Sequence, residues 1–174
     1  MAKENDTKTT ATVQDATPED ATAPSVQVIA QYIKDLSLEN PHSPASIVGG
    51  WGAPETSVQI NIRTQTLQDG AYEVTLMFRI EAKNPKQDDK TAFIIELAYA
   101  GAVQIKNVPE DNLQPLLMVE IPKILFPFAR EIVADSVVKG GFPPLYLQPV
   151  NFEAIYTQDL KRRQAESEQK SESA

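Results

Sequence analysis

Few residues of this chain are of types that do covalent, redox or metal chemistry. Its 174 residues include no cysteine, and His42 is the single histidine. A zinc set would lack ligands, and no thiolate exists to act as nucleophile. A Ser–His triad would depend on that one ring, which lies in an Asn/Pro-rich stretch, NPHSP, and reads as a loop residue without a chemical role. Asp88 and Asp89 are adjacent carboxylates flanked by Lys86 and Lys90. Neighbours on an extended chain point apart, which suits solvated turn residues rather than shared acid/base work. No GxxxxGK[ST] loop is present to cradle nucleotide phosphates. The expectation is a protein that is not an enzyme and takes no cofactor or metal.

The residues left to consider make contacts rather than reactions. Asp35 and Glu39 lie close together near the end of an alternating segment, and Glu96 interrupts an otherwise apolar one. Taken alone, acids at such places read as solvated edge protection. Trp51, the sole tryptophan, sits in a glycine-rich stretch, VGGWGAP. It either plugs the loop onto the core or offers an aromatic surface to a partner. The net charge of −8 disfavours nucleic acid and favours solubility or a basic protein partner. The short basic run Lys161–Arg163 fits a helix C-terminus better than a phosphate-binding patch.

The elements that must carry these residues follow from periodicity. Val26, Val28, Ala30 and Tyr32 read as one side of a first strand running towards Leu38, and residues 40–54 as a long Pro/Gly loop. Val58, Ile60, Ile62 and Thr64 alternate with polar residues, Gln68-Asp69-Gly70 marks a turn, and Tyr72, Val74, Leu76, Phe78 and Ile80 alternate again. Residues 84–89 form the next turn. Residues 91–105 are apolar on both sides, as in a strand between two layers, with a bulge expected at Ala100-Gly101. In a four-stranded sheet with few helices, that second layer could come from another subunit. A helix is expected from Pro122, bent at Pro127 and stopped at Gly140-Gly141, with Asn151 capping a second that carries Phe152, Ile155, Tyr156 and Leu160. Four antiparallel strands followed by two helices make an α+β domain.

Residues 1–24 form an acidic, Thr/Ala-rich tail too poor in apolar residues to order itself, and residues 163–174 a flexible polar tail. The folded domain is expected over 25–162. No apolar leader or run of membrane-spanning length is visible, so the expectation is a soluble, cytoplasmic protein without membrane insertion.

One stretch carries more information than any of these. Residues 122–156, PKILFPFAREIVADSVVKGGFPPLYLQPVNFEAIY, combine ILFP, ARE, a glycine stop before FP, and PVNF. In that order they resemble the C-terminal half of the SecB family of bacterial protein-export chaperones. QYIKDLSLENPHSP is similar to the family's first strand and loop, YEVTLMFRIEA to its third strand and TAFIIELAYAG to its fourth, so the resemblance covers residues 27–160. The longer N-terminal tail, AYAGAV and NLQPLLMVEIP depart from the family pattern.

The resemblance implies a homotetramer, a dimer of dimers. It implies an ATP-independent chaperone that holds unfolded secretory precursors translocation-competent and delivers them to the SecA motor. On the family pattern, Asp35, Glu39, Ile94 and Glu96 match a flat SecA-binding face. Trp51 matches a client-binding position, and Phe152 and Tyr156 either line the client groove or cover the sheet. The alternative is a SecB-like chaperone dedicated to a toxin–antitoxin partner.

Overall fold

The computed structural model describes residues 23–48 and 51–172. The disorder expected of the N-terminal tail therefore falls outside the described residues, apart from positions 23 and 24. The strands are β1 (Ser25–Glu39), β2 (Glu55–Thr66), β3 (Ala71–Asn84) and β4 (Lys90–Lys106), and one turn of helix, α1 (Ala45–Val48), interrupts the first loop. They form one antiparallel sheet in the order β1-β4-β3-β2. Between β2 and β3 the chain reverses through Asp69 (φ 55°) and Gly70 (φ 74°), the left-handed pair a tight hairpin turn needs.

The helical part begins earlier than expected. Instead of starting at Pro122, helix runs from α2 (Glu110–Pro115) through a π turn at Leu116–Glu120 into α3 (Ile121–Lys139). The Ile121 amide donates back five residues to Leu116 O. That wider turn keeps helix continuous beside Pro115 and Pro122, which lack amide hydrogens for the usual ladder. Ile121, Leu125, Ala129, Val133 and Val137 repeat every fourth residue and are all buried against the sheet. The glycine stop is a Schellman motif: Phe142 N donates to Val137 O (3.2 Å) and Gly141 N to Val138 O (3.0 Å), with Gly141 at φ 89°. Asn151 Oδ1 accepts from Ala154 N at 2.9 Å, capping α4 (Phe152–Glu172).

The last helix continues to Glu172, past the boundary expected at residue 162. The basic run therefore sits within the helix rather than at its end, where Arg162 and Arg163 pair with Asp159 at 2.6 and 2.7 Å.

The helices cover one face of the sheet. Val74, Leu76, Phe78 and Ile80 of β3 pack there beside Ile95, Leu97 and Val103 of β4, and all are buried. The bulge expected at Ala100-Gly101 is not found: β4 pairs regularly there, Gln31 with Gly101 and Tyr32 with Ala100. Gly101 answers to packing instead, because a Cβ at that position would lie 2.7 Å from Leu125 Cδ2 of α3. The irregularities belong to β1, whose register shifts between Val28 and Ala30 and again between Ile33 and Asp35. Val26 and Val28 accordingly pair on the covered face with Ile105 and Val103. Ala30 and Tyr32 pair on the other face with Ala102 and Ala100, so the four do not share one side.

Candidate functional site

Among the described residues, the second face of the sheet carries no helix, and its acids come first from β1 and β4. Across those strands Glu39 pairs with Ile94, Ser37 with Glu96 and Asp35 with Ala98. Directly paired residues share a face. Asp35, Glu39, Ile94 and Glu96 therefore stand together on the uncovered side, four positions that sequence reasoning drew from two separate segments. The bulge at Lys34 makes this possible. Ile33 pairs with Tyr99 on the covered face, and strict alternation would carry Asp35 there as well. The extra residue re-aims Asp35, Ser37 and Glu39 outward.

The acids differ in what holds them. Glu96 accepts from Arg79 Nη1, directly across the β3–β4 pair, and both side chains are about half exposed (47% and 49%). Asp35 and Glu39 have no ion pair among the described residues. A third carboxylate, Glu73 of β3, was not anticipated. It is nearly buried, receives Lys34 Nζ at 2.6 Å on one oxygen and Tyr32 Oη on the other, with Thr75 Oγ1 at 3.4 Å. The three side chains meet above Ala100 and Ala102 of the strand between them, whose methyl groups leave the space. Lys34 first, then Tyr32, holds the Glu73 carboxyl below its usual range. The hydrogen bond to Glu73, then burial and the Glu73 charge, push the Tyr32 phenol up to about 12.

A separate apolar cavity of about 440 Å³ is lined by Ile47, Trp51, Phe93, Phe142 and Leu145 among others. Trp51 is half-buried and packs against the core, 5.4 Å between ring centroids from His42. Its carbonyl accepts from Nδ2 of the buried Asn84, while His42 Nδ1 lies 2.9 Å from Thr91 O. The tryptophan is thus both a loop anchor and a wall of an open cavity. Phe152 does not reach any surface: it is 1% exposed and sits edge-on against Phe126 at 5.9 Å. It belongs to the buried core of this subunit. Tyr156 is half-buried against the core and is not among the lining residues of the Trp51 cavity.

Among the described residues no group of three or more His, Asp or Glu could hold a metal ion, and no helix is long and apolar enough to cross a membrane. What remains is a flat charged face and an apolar cavity, the furniture of a protein that binds other chains. The model of the family "Preprotein translocase subunit SecB" matches residues 19–163. The chain belongs to the SecB family. It is 49% identical over 150 residues to the protein-export protein SecB of Rhodopseudomonas palustris strain BisB18, covering 86% of this chain and 90% of that protein. It is 48% identical over 154 residues to that of Nitrobacter winogradskyi, covering 88% and 95%. Among solved structures, the Mycobacterium tuberculosis SecB-like chaperone Rv1957, in complex with a ChAD peptide from the HigA1 antitoxin, aligns with a TM-score of 0.60 at 15% identity. The alignment covers 72% of this chain and 91% of that one, and the likeness is one of fold.

Proposed function

We propose that this chain is an ATP-independent cytoplasmic holdase that keeps unfolded secretory precursors translocation-competent and delivers them to SecA, working as a homotetramer without turnover of its own. The observation that carries the motor contact is the common uncovered face of Asp35, Glu39, Ile94 and Glu96, two of whose acids have no ion pair among the described residues. Unpaired acids on a flat surface attract a basic partner and speed its encounter.

The client side rests on the cavity beside Trp51, with Tyr156 as a further contact and Phe152 supporting from beneath. Each buried CH₂ of a client is worth about 0.8 kcal/mol, and ordering costs keep any one segment weak. Several such cavities on one assembly, engaged by one long chain, gain through effective concentration. Assembly is supported by the exposed apolar side chains Ile124, Phe128 and Val138 of α3 and Val26, Ile33 and Leu36 of β1, which this subunit leaves uncovered.

The test is solution mass by light scattering, with and without a slowly folding precursor. A tetramer that takes up one precursor chain and delays its folding is expected, with Glu96→Lys weakening SecA binding while leaving that mass intact. A stable monomer, or unchanged SecA affinity of Glu96→Lys by low-salt calorimetry, would sink the assembly or the motor contact respectively. Binding to one fixed client and no other would point to a dedicated toxin–antitoxin chaperone instead.

A further inference from the structure

We propose that Arg79 is a built-in competitor for the motor-facing acid Glu96, so that a cationic side chain of the partner must displace an internal guanidinium before it can use that carboxylate. The inference rests on the motor contact proposed above and adds a residue that sets its strength. Arg79 and Glu96 are direct cross-strand partners, and Nη1 donates to Glu96 Oε1. Glu96 is the one ion partner of Arg79 among the described residues. The other cations nearby are committed elsewhere: Lys34 holds Glu73 at 2.6 Å, and Lys83 lies 3.4 Å from Glu81.

The face therefore contains acids of two kinds. Asp35 and Glu39 are open to an incoming cation, whereas Glu96 is already answered. Both members of the pair are about half exposed, so the bond is screened and exchangeable rather than locked. An exposed pair of this sort contributes roughly 0–1 kcal/mol, which corresponds to a cost of up to about fivefold in affinity for a partner that must break it. It discriminates among basic partners: one that merely adds positive charge meets Arg79 as a like charge, while one that aligns a cation on Glu96 and an acceptor on Arg79 loses nothing.

The experiment is a double-mutant cycle on the full chain, titrated with SecA by calorimetry at low and at physiological salt, using Arg79→Gln, Glu96→Gln and both together. Retained solution mass and thermal unfolding show that each variant is folded. Arg79→Gln is expected to tighten SecA binding about two- to fivefold. In the Glu96→Gln background the same change should leave affinity nearly unaltered, because the competition it relieves is gone. Weaker binding of Arg79→Gln would make Arg79 a direct contact and overturn the proposal. Equal tightening in both backgrounds would assign the effect to overall field alone and overturn it too. If Glu96→Gln by itself binds SecA as well as the unaltered chain does, the motor contact at Glu96 fails, and this inference falls with it.

Discussion

On the covered face of the sheet, Val74, Leu76, Ile80 and Ile95 are wholly buried beneath α3, and none of these four is left for a partner. On the uncovered face the same strands carry Glu73, Arg79, Glu81 and Glu96, which bond to one another or to nearby lysines, hydroxyls and a phenol. Beneath α3, the covered face is committed to making the fold. The other satisfies its polar groups through bonds that water or another protein can replace, and two of its acids have no ion pair among the described residues. At these positions apolar burial and exchangeable polar bonding fall on opposite sides of a single layer, and substitutions on the two sides should differ in kind as well as in size.

The largest effect belongs to the covered face. Ile95→Ala should cost about 2–5 kcal/mol in urea denaturation, from lost burial and the cavity left behind. A loss well under 1 kcal/mol would show that α3 does not seal this face. Gly101→Ala should cost about 1–3 kcal/mol, since its methyl would meet Leu125 Cδ2 at 2.7 Å in a packed core. Partial recovery in combination with a smaller residue at position 125 would confirm the clash as the cause.

The cluster that ties β1 to β3 comes next, and it predicts a pH dependence on both sides of neutrality. Glu73 titrates below its ordinary value in the folded protein, so its contribution is present above pH 4.5 and is lost as pH falls below that. Tyr32 titrates above its ordinary value, so its contribution is present below pH 10 and is lost as pH rises towards about 12. Glu73→Gln should cost about 1 kcal/mol at neutral pH and flatten the acid limb of a stability profile. Tyr32→Phe should flatten the alkaline limb. An unaltered profile in both would mean that the cluster does not couple to folding. The smallest effect is expected at Asp35, where Asp35→Asn should change stability by no more than about 0.5 kcal/mol, because no bond is broken. A larger loss would move Asp35 into the structural class and blur the division between the faces.

Much of the fold was legible because local signals agreed with the tertiary arrangement: alternation in β2 and β3, Asp69-Gly70 between them, Gly140-Gly141 as a stop and Asn151 as a cap. The early start of the helix was hidden because Pro122 reads as a first turn, and the π turn that keeps helix continuous past Pro115 and Pro122 has no sequence marker of its own. The bulges in β1 did leave a trace. Val26 and Val28 set one phase of alternation, Ile33 takes the opposite one, and Leu36 and Leu38 return to the first, a double shift that extra residues at Ile29 and Lys34 explain. Asp35, Glu39, Ile94 and Glu96 were nameable through family resemblance, but their common face depended on that hidden bulge. Glu73 and Arg79 were passed over because a charged residue on the polar side of an alternating strand looks ordinary until its partners are seen. The two-sided apolarity of β4 is in part small size: Ala98, Ala100 and Ala102 make room for side chains from the flanking strands.

The strand order has a consequence for how the protein comes into being. β1 leaves the ribosome first, yet its only partner in the sheet is β4, the last strand to be made. Between Glu39 and Lys106 the growing chain lengthens for roughly 3–13 s at 5–20 residues per second. For that interval the hairpin of β2 and β3 can close locally, while the first strand, with Val26, Ile29, Ile33 and Leu36, waits in solution as an unpaired apolar segment. A protein of this family thus begins its own life in the condition of the chains that it is proposed to protect.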